Sequence, residues 1–314
     1  MRNRLPTYFL PAALLLLSGC GIEGLEGFGN SQKFQQDFHH TYDLTPGGRL
    51  SIENTNGSIE IIGWEKNSVD ISGTKYAATE ELMNEIKVDI AASPSEIRVR
   101  TVTPTGRRGN LGAKYMIRVP FKTVLDRIES SNGSVRAENV EGPARLHTSN
   151  GSVKAFKLRG ELDVVTSNGS VEATDTEGNA TVRTSNGSVT VENLRGALDA
   201  TTSNGRIRAR IAQAEPGKPL RASTSNGSID LTAESFKDND IRASTSNGSI
   251  TVRLPASLNA RLRAGTSNAT VSSDFDVLVK GGTHSKTRLD GNVGNGGALI
   301  DLTSTNGSIK ILKQ

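Results

Sequence analysis

The chain has 314 residues, one cysteine, four histidines and a formal net charge of +4. Hydrophobic residues make up 34% and aromatics 4%, which excludes a thick globular core and permits a thin one lined by small side chains. A single cysteine excludes an internal disulfide framework, and so small a charge excess excludes the strongly basic surface of a nucleic-acid-binding protein.

In chain order the first element is MRNRLPTYFLPAALLLLSGC, with Arg2 and Arg4 ahead of an apolar run from Tyr8 to Leu17 and a small-residue exit. The run is too short for a mature membrane span and has the layout of a secretory leader. Its ending, LSGC, resembles the lipobox of bacterial lipoproteins, in which the leader is cut ahead of the cysteine and the thiol is acylated. That resemblance implies a leader over residues 1–19, lipid attachment at Cys20 and a membrane partner reached through the lipid. Losing Arg2 and Arg4 leaves 35 Lys+Arg against 33 Asp+Glu, a net charge of +2. The residue after Cys20 is Gly21 rather than the aspartate associated with inner-membrane retention in enteric lipoproteins, which points to the outer membrane. Residues 20–33 carry the lipidated cysteine and a Gly-rich stretch suited to a flexible tether. No second run is long enough to cross a bilayer as a helix.

Residues 34–127 read as an irregular first part of a β-structure. Phe38, His40, Tyr42 and Leu44 alternate along one strand, and Leu50, Ile52, Ile59 and Ile61 flank a first TNGS motif. Thr79 to Ile86 is the one helical patch, with Thr79 as N-cap, Glu80 and Glu81 in the first turn and a Leu82/Ile86 apolar pair. EIRVR at Glu96 and YMIRVP at Tyr115 read as strands, and residues 107–112 as a loop.

Residues 128–314 repeat one motif. Its asparagines stand at Asn132, Asn150, Asn168, Asn186, Asn204, Asn226, Asn247 and Asn268, with outlying copies at Asn56 and Asn306. The central spacing is 18, then 22, 21 and 21, the mark of a solenoid. Apolar columns stand six and four residues before the asparagine and three after it, with polar residues between them, so each unit holds two short alternating strands. Val140, Leu158 and Leu194, with Gly142, Gly160, Gly178 and Gly196, close a third short side. The expected fold is all-β, a single-stranded parallel β-solenoid with 18–22-residue coils, right-handed by preference. Asn-Gly between alternating runs is also a hairpin signal. Two features weigh against hairpins: the flanking Thr-Ser recurs with the Asn-Gly, and Ala269 replaces the glycine in one copy. In a solenoid, coils stack ~4.8 Å apart, so the asparagines can form an amide ladder and the threonines two positions earlier a hydroxyl ladder. The alternation places both inside with the valines. Polar turns, short edges and the terminal Lys310 and Lys313 are expected to oppose end-to-end association.

The combination of GGRLSIENTNGSIEIIGW, YMIRVP and serial SNG coils resembles the bacterial "putative adhesin" domain family of unknown function, over roughly Phe34 to the C-terminus. The resemblance implies a β-solenoid and carries over no catalytic or binding residue.

The residues themselves offer little chemistry. None of His39, His40, His147 and His284 has a second ligand at metal spacing, the serines lie in SNG rather than in a nucleophile elbow, and LDGNVGNGG fits no calcium loop. No catalytic residue, metal or cofactor is expected. Arg221, Arg242 and Arg263 occupy one outward position on three coils successive in sequence. They read either as a stripe for an anionic envelope glycan or as a solvated face with acids on neighbouring columns. The leading functional expectation is a non-enzymatic, lipid-anchored envelope rod acting in adhesion, as a scaffold or with another envelope protein. A polysaccharide-processing enzyme and an accessory protein of envelope-stress signalling are the alternatives.

Overall fold

The computed structural model describes residues 34–104, 110–235, 237–279 and 284–314. The leader, Cys20, the tether and residues 107–109 of the expected loop lie outside the described residues. The described residues belong to one compact unit, built almost wholly of strands in two long sheets of 13 and 15 strands.

Each motif copy sits where the chain passes from one sheet to the other. The strand before the asparagine, such as Leu162–Thr166, joins the leading sheet; the strand after it, such as Val171–Thr174, joins the trailing sheet. An 18-residue repeat returns the chain to the same side travelling the same way, so neighbours pair in parallel and in register. Leu162 faces Ala180 and Val164 faces Val182 on one sheet, while Val171 faces Val189 and Ala173 faces Val191 on the other. Period-two alternation then buries Leu162, Val164 and Thr166 and leaves Asp163 and Val165 outside. The resulting core is narrow and aliphatic, running continuously from Leu44 to Ile311. The expected parallel β-solenoid is the observed fold.

After each trailing strand the chain makes a tight corner. Asn139, Lys157, Asp175 and Asn193 adopt left-handed φ values between 51° and 63°, and Gly142, Gly160, Gly178 and Gly196 follow with positive φ. Between them lies one bridging residue per coil, and Lys122, Glu141, Arg159, Glu177 and Arg195 pair successively to form the third side. The regular 18-residue spacing ends there. Strand Val189–Arg195 meets Ile207–Gln213 with two register shifts, and later coils carry their extra residues in corner loops.

Spatial order departs from chain order at both ends. The first motif strand, Gly48–Asn56, lies between Glu96–Val102 and Thr123–Asn132, so a later segment covers it. At the far end Leu299–Ser304 inserts between Ile241–Thr245 and Ala260–Thr266, and Ile309–Lys313 between Ile250–Leu254 and Val271–Ser273. The last coil in sequence is therefore the penultimate motif coil in space. Antiparallel strands finish both sheets at one end, with Ser68–Ala77, Phe34–Asp43 and Lys87–Ser93, and the leading sheet at the other, with Arg288–Val293 and Val277–Leu278; there the trailing sheet stops at the parallel strand Val271–Ser273. Lys310 lies between Thr251 and Ser272, inside the stack, so it cannot guard the end as the sequence order implied. The short helix is Glu80–Glu85, with the Thr79 side chain accepting from the Leu82 N–H. Leu82 and Met83 pack against Ala77, Ile86 and Leu111 at the covered end. Residue 112, expected in a loop, opens strand Gly112–Pro120 instead.

Candidate functional site

The motif corner is the most ordered polar feature of the molecule. Each asparagine donates from Nδ2 to Oδ1 of the asparagine one level down, at 2.6–2.8 Å. The order is Asn56, Asn132, Asn150, Asn168, Asn186, Asn204, Asn226, Asn247, Asn306 and Asn268, and Asn56 ends the run by donating to the Leu111 carbonyl. Apart from the half-buried Asn56, these side chains are exposed, not inward. The chain turns at Ser-Asn, and strand parity does not carry across a turn. The threonines two positions earlier are buried, but they do not bond to one another. Thr148, Thr166, Thr184, Thr202, Thr224 and Thr245 each donate to the motif-glycine carbonyl of the level below, at 2.8–3.0 Å. The asparagine backbone adds a third bond, as from the Asn168 N–H to the Ser149 carbonyl at 2.9 Å.

The three arginines of the candidate stripe do share an outward column of the leading sheet. They are not contiguous. Arg221 faces Asp199 on one side and Arg242 on the other; Arg242 then faces Asp301, and Arg263 lies between Asp301 and Asp290. The inserted last coil places Asp301 where three successive coils had implied uninterrupted positive charge. On the trailing sheet, Arg208 faces Asp230 and Arg210 donates to Glu234. Farther along the leading sheet, Arg127 bonds Glu129 at 2.6 Å and lies 3.2 Å from Glu53. The hydrogen bond to Glu129, then its charge, raises the Arg127 pKa further above the ordinary arginine range. Arg136 is raised in the same way, first by its hydrogen bond to Glu138.

The third side carries a second charge pattern, Lys122–Glu141–Arg159–Glu177–Arg195, alternating at every level. Arg159 lies 3.0 Å from Glu141 and 3.4 Å from Glu177. A polar groove of about 400 Å³ runs beside it, lined also by Lys157, Asp175 and Asn193. This alternation was legible in the 18-residue spacing of 141, 159, 177 and 195 but was not read from it.

A cleft of about 600 Å³ lies on the outer face of the trailing sheet near its antiparallel end, lined by Asp37, His39, Ser72, Lys114 and Met116. Antiparallel pairing sets His39 opposite Ser72, with His39 Nδ1 3.3 Å from Ser72 Oγ and His39 Nε2 3.4 Å from Asp70 Oδ1. This Ser/His/Asp cluster has no sequence signature, because only the pairing register brings the three together. The strand carrying Ser72 is hydrogen-bonded along both edges, so its amides are committed to the sheet and do not offer an oxyanion site. Beneath it, burial pushes the Tyr115 hydroxyl up to about 12, against the lowering effect of its 2.6 Å hydrogen bond to Thr101. Among the described residues no group of three or more His, Cys, Asp or Glu could hold a metal ion.

Several solved structures resemble the chain at low identity. A putative adhesin from Parabacteroides merdae is 13% identical, with 90% of this chain and 98% of that one covered at a TM-score of 0.45. A putative adhesin from Bacteroides fragilis is 14% identical, covering 88% and 97% at 0.41. A putative lipid binding protein from Parabacteroides distasonis is 12% identical, covering 88% and 96% at 0.35. No curated protein matches significantly. Residues 47–312 match the family described as Toastrack DUF4097, a span that takes in every motif copy, and the chain belongs to that family.

Proposed function

We propose that this protein is a lipid-anchored, non-enzymatic interaction rod of the cell envelope, held through Cys20 and presenting its outer sheet faces to another envelope protein. The observation that carries this reading is the asparagine ladder. Nine amide bonds tie ten levels into one continuous corner, about 45 Å long at ~4.8 Å per step. Such a body is suited to holding surfaces at fixed spacing. The LSGC leader supports the anchor, and the relatives described as putative adhesins agree with an interaction role. A protein partner fits the surface better than a polyanionic glycan, because Asp301 interrupts the arginine column and Asp199 and Asp290 flank it.

Two measurements on cells test this. Metabolic labelling with an alkyne fatty acid should mark the wild-type protein and not Cys20→Ser. Protease accessibility on intact and permeabilised cells should then place the rod. Cleavage in intact cells supports an adhesive role at the surface, and protection until permeabilisation supports a periplasmic scaffold. An unlabelled wild-type protein released into the medium would overturn the anchored reading.

A further inference from the structure

Strand Phe34–Asp43 lies at the edge of the trailing sheet and, among the described residues, pairs over ten residues only with Ser68–Ala77. Eight of its ten residues are exposed, Phe34 among them at 38%. The far end of the same sheet finishes differently, in the three-residue strand Val271–Ser273. Natural edges are usually blunted by shortness, lysine, proline or a bulge. FQQDFHHTYD has no lysine or proline, and its pairing with Ser68–Ala77 runs without a register shift.

The strand is also complementary to itself. Consider two copies laid edge to edge and antiparallel, about a twofold axis perpendicular to the sheet and through Phe38. This symmetry keeps each face on its own side, so residues whose numbers sum to 76 stand opposite. Phe38 then meets Phe38 of the second copy, and Phe34 meets Tyr42, putting aromatic pairs on the core-side face. Gln36 meets His40 on that face. On the outer face Gln35 meets Thr41, and Asp37 meets His39, which joins an acid to a base twice by symmetry. Aromatic and opposite-charge pairs are the cross-strand combinations that stabilise sheets. A register centred on His39 would instead set His39 against itself and Gln35 against Asp43.

We infer that this edge is a homodimer interface, in which a second copy of the chain extends the trailing sheet through antiparallel pairing of residues 34–42 centred on Phe38. The paired ladder spans roughly 30 Å. It would join two rods into one continuous sheet and close the longest open edge among the described strands of that sheet.

The test uses the full chain in detergent micelles, with mass measured by light scattering across a dilution series. The wild type should be a dimer. His39→Asp places a second carboxylate opposite Asp37 at both symmetric positions and should weaken dimerisation on the order of tenfold. The exchange Asp37→His with His39→Asp restores both carboxylate–imidazole pairs and should recover it. Phe38→Cys should form a disulfide-linked dimer on mild oxidation, beyond any cross-link seen in the wild type through Cys20, whereas Gln35→Cys should not. A monomer at every concentration would overturn the proposal. So would a dimer that tolerates His39→Asp and gives no Phe38→Cys cross-link, since another surface would then hold it. A monomer whose 34–43 amides all resist hydrogen exchange would mean that residues 1–33 cover the edge, which also overturns it. None of these outcomes bears on lipid attachment at Cys20.

Discussion

A methyl group at position 169 would overlap the carbonyl oxygen of Gly151, and the same holds up the column at Gly187, Gly205, Gly227 and Gly248. These motif glycines lack the positive φ of a hairpin turn; within the stack glycine is favoured because each backbone carbonyl approaches the Cα above and also accepts the threonine hydroxyl, and Ala269 takes the position on the last level. Gly169→Ala should therefore cost about 2–4 kcal/mol in chemical denaturation. Gly265 has open space around it and no positive φ, so Gly265→Ala should fall within about 1 kcal/mol of wild type and on the stabilising side. Equal effects of the two would contradict the carbonyl argument. On the third side, Thr176 takes the place held by Val140, Leu158 and Leu194 in other coils. It is 2% exposed, and its hydroxyl has no hydrogen-bond partner. Thr176→Val keeps the shape and removes an unsatisfied polar atom, so it should raise stability by about 1 kcal/mol. A destabilised Thr176→Val would show that the hydroxyl is satisfied in solution.

Individual strands were largely legible in the sequence, because burial on one face imposes alternation that any reader can count. The helix at Glu80–Glu85 was legible from its cap and its Leu82/Ile86 spacing for the same local reason. Which strand lies beside which was not. Copies at Asn247, Asn268 and Asn306 carry nearly the same motif, so each could stack on either of the others, and the chain places the last between the first two. That insertion has a testable consequence. Deleting residues 299–314 removes one level from both sheets, taking away a partner of Ile241–Thr245 and of Ala260–Thr266. Residues 260–293 should lose their protection from hydrogen exchange, while residues 144–213 keep theirs. Retained protection at 260–293 would mean that the Asn268 coil can dock directly on the Asn247 coil.

Over the whole molecule, charge is paired rather than segregated. The third side alternates sign at each level, and on the leading sheet Asp301 lies between Arg242 and Arg263 while Asp199 faces Arg221. Stacked like charges ~4.8 Å apart would repel along the column, so mixed columns let a narrow rod keep a charged, soluble exterior. Antiparallel strands end the leading sheet on both sides and the trailing sheet at Phe34–Asp43, which breaks the parallel progression there; the other end of the trailing sheet is the three-residue parallel strand Val271–Ser273. Antiparallel pairing at Phe34–Asp43, end to end along the stack, is the extension that its long open edge allows.

The 18-residue period, the two alternating strands in each unit and the thin aliphatic core follow from the order of residue types alone, since burial and pleat act locally on every copy. The outward placement of the asparagines, the insertion of the last coil and the neighbours of Arg242 and Arg263 do not. They depend on how a turn reorients the chain and on which of several near-identical coils a segment stacks against. Near-identical motifs make those alternatives almost equal in local energy. The choice falls to long-range contacts: the strands Glu96–Val102 and Gly112–Pro120 covering the first coil, and the antiparallel strands beyond the last.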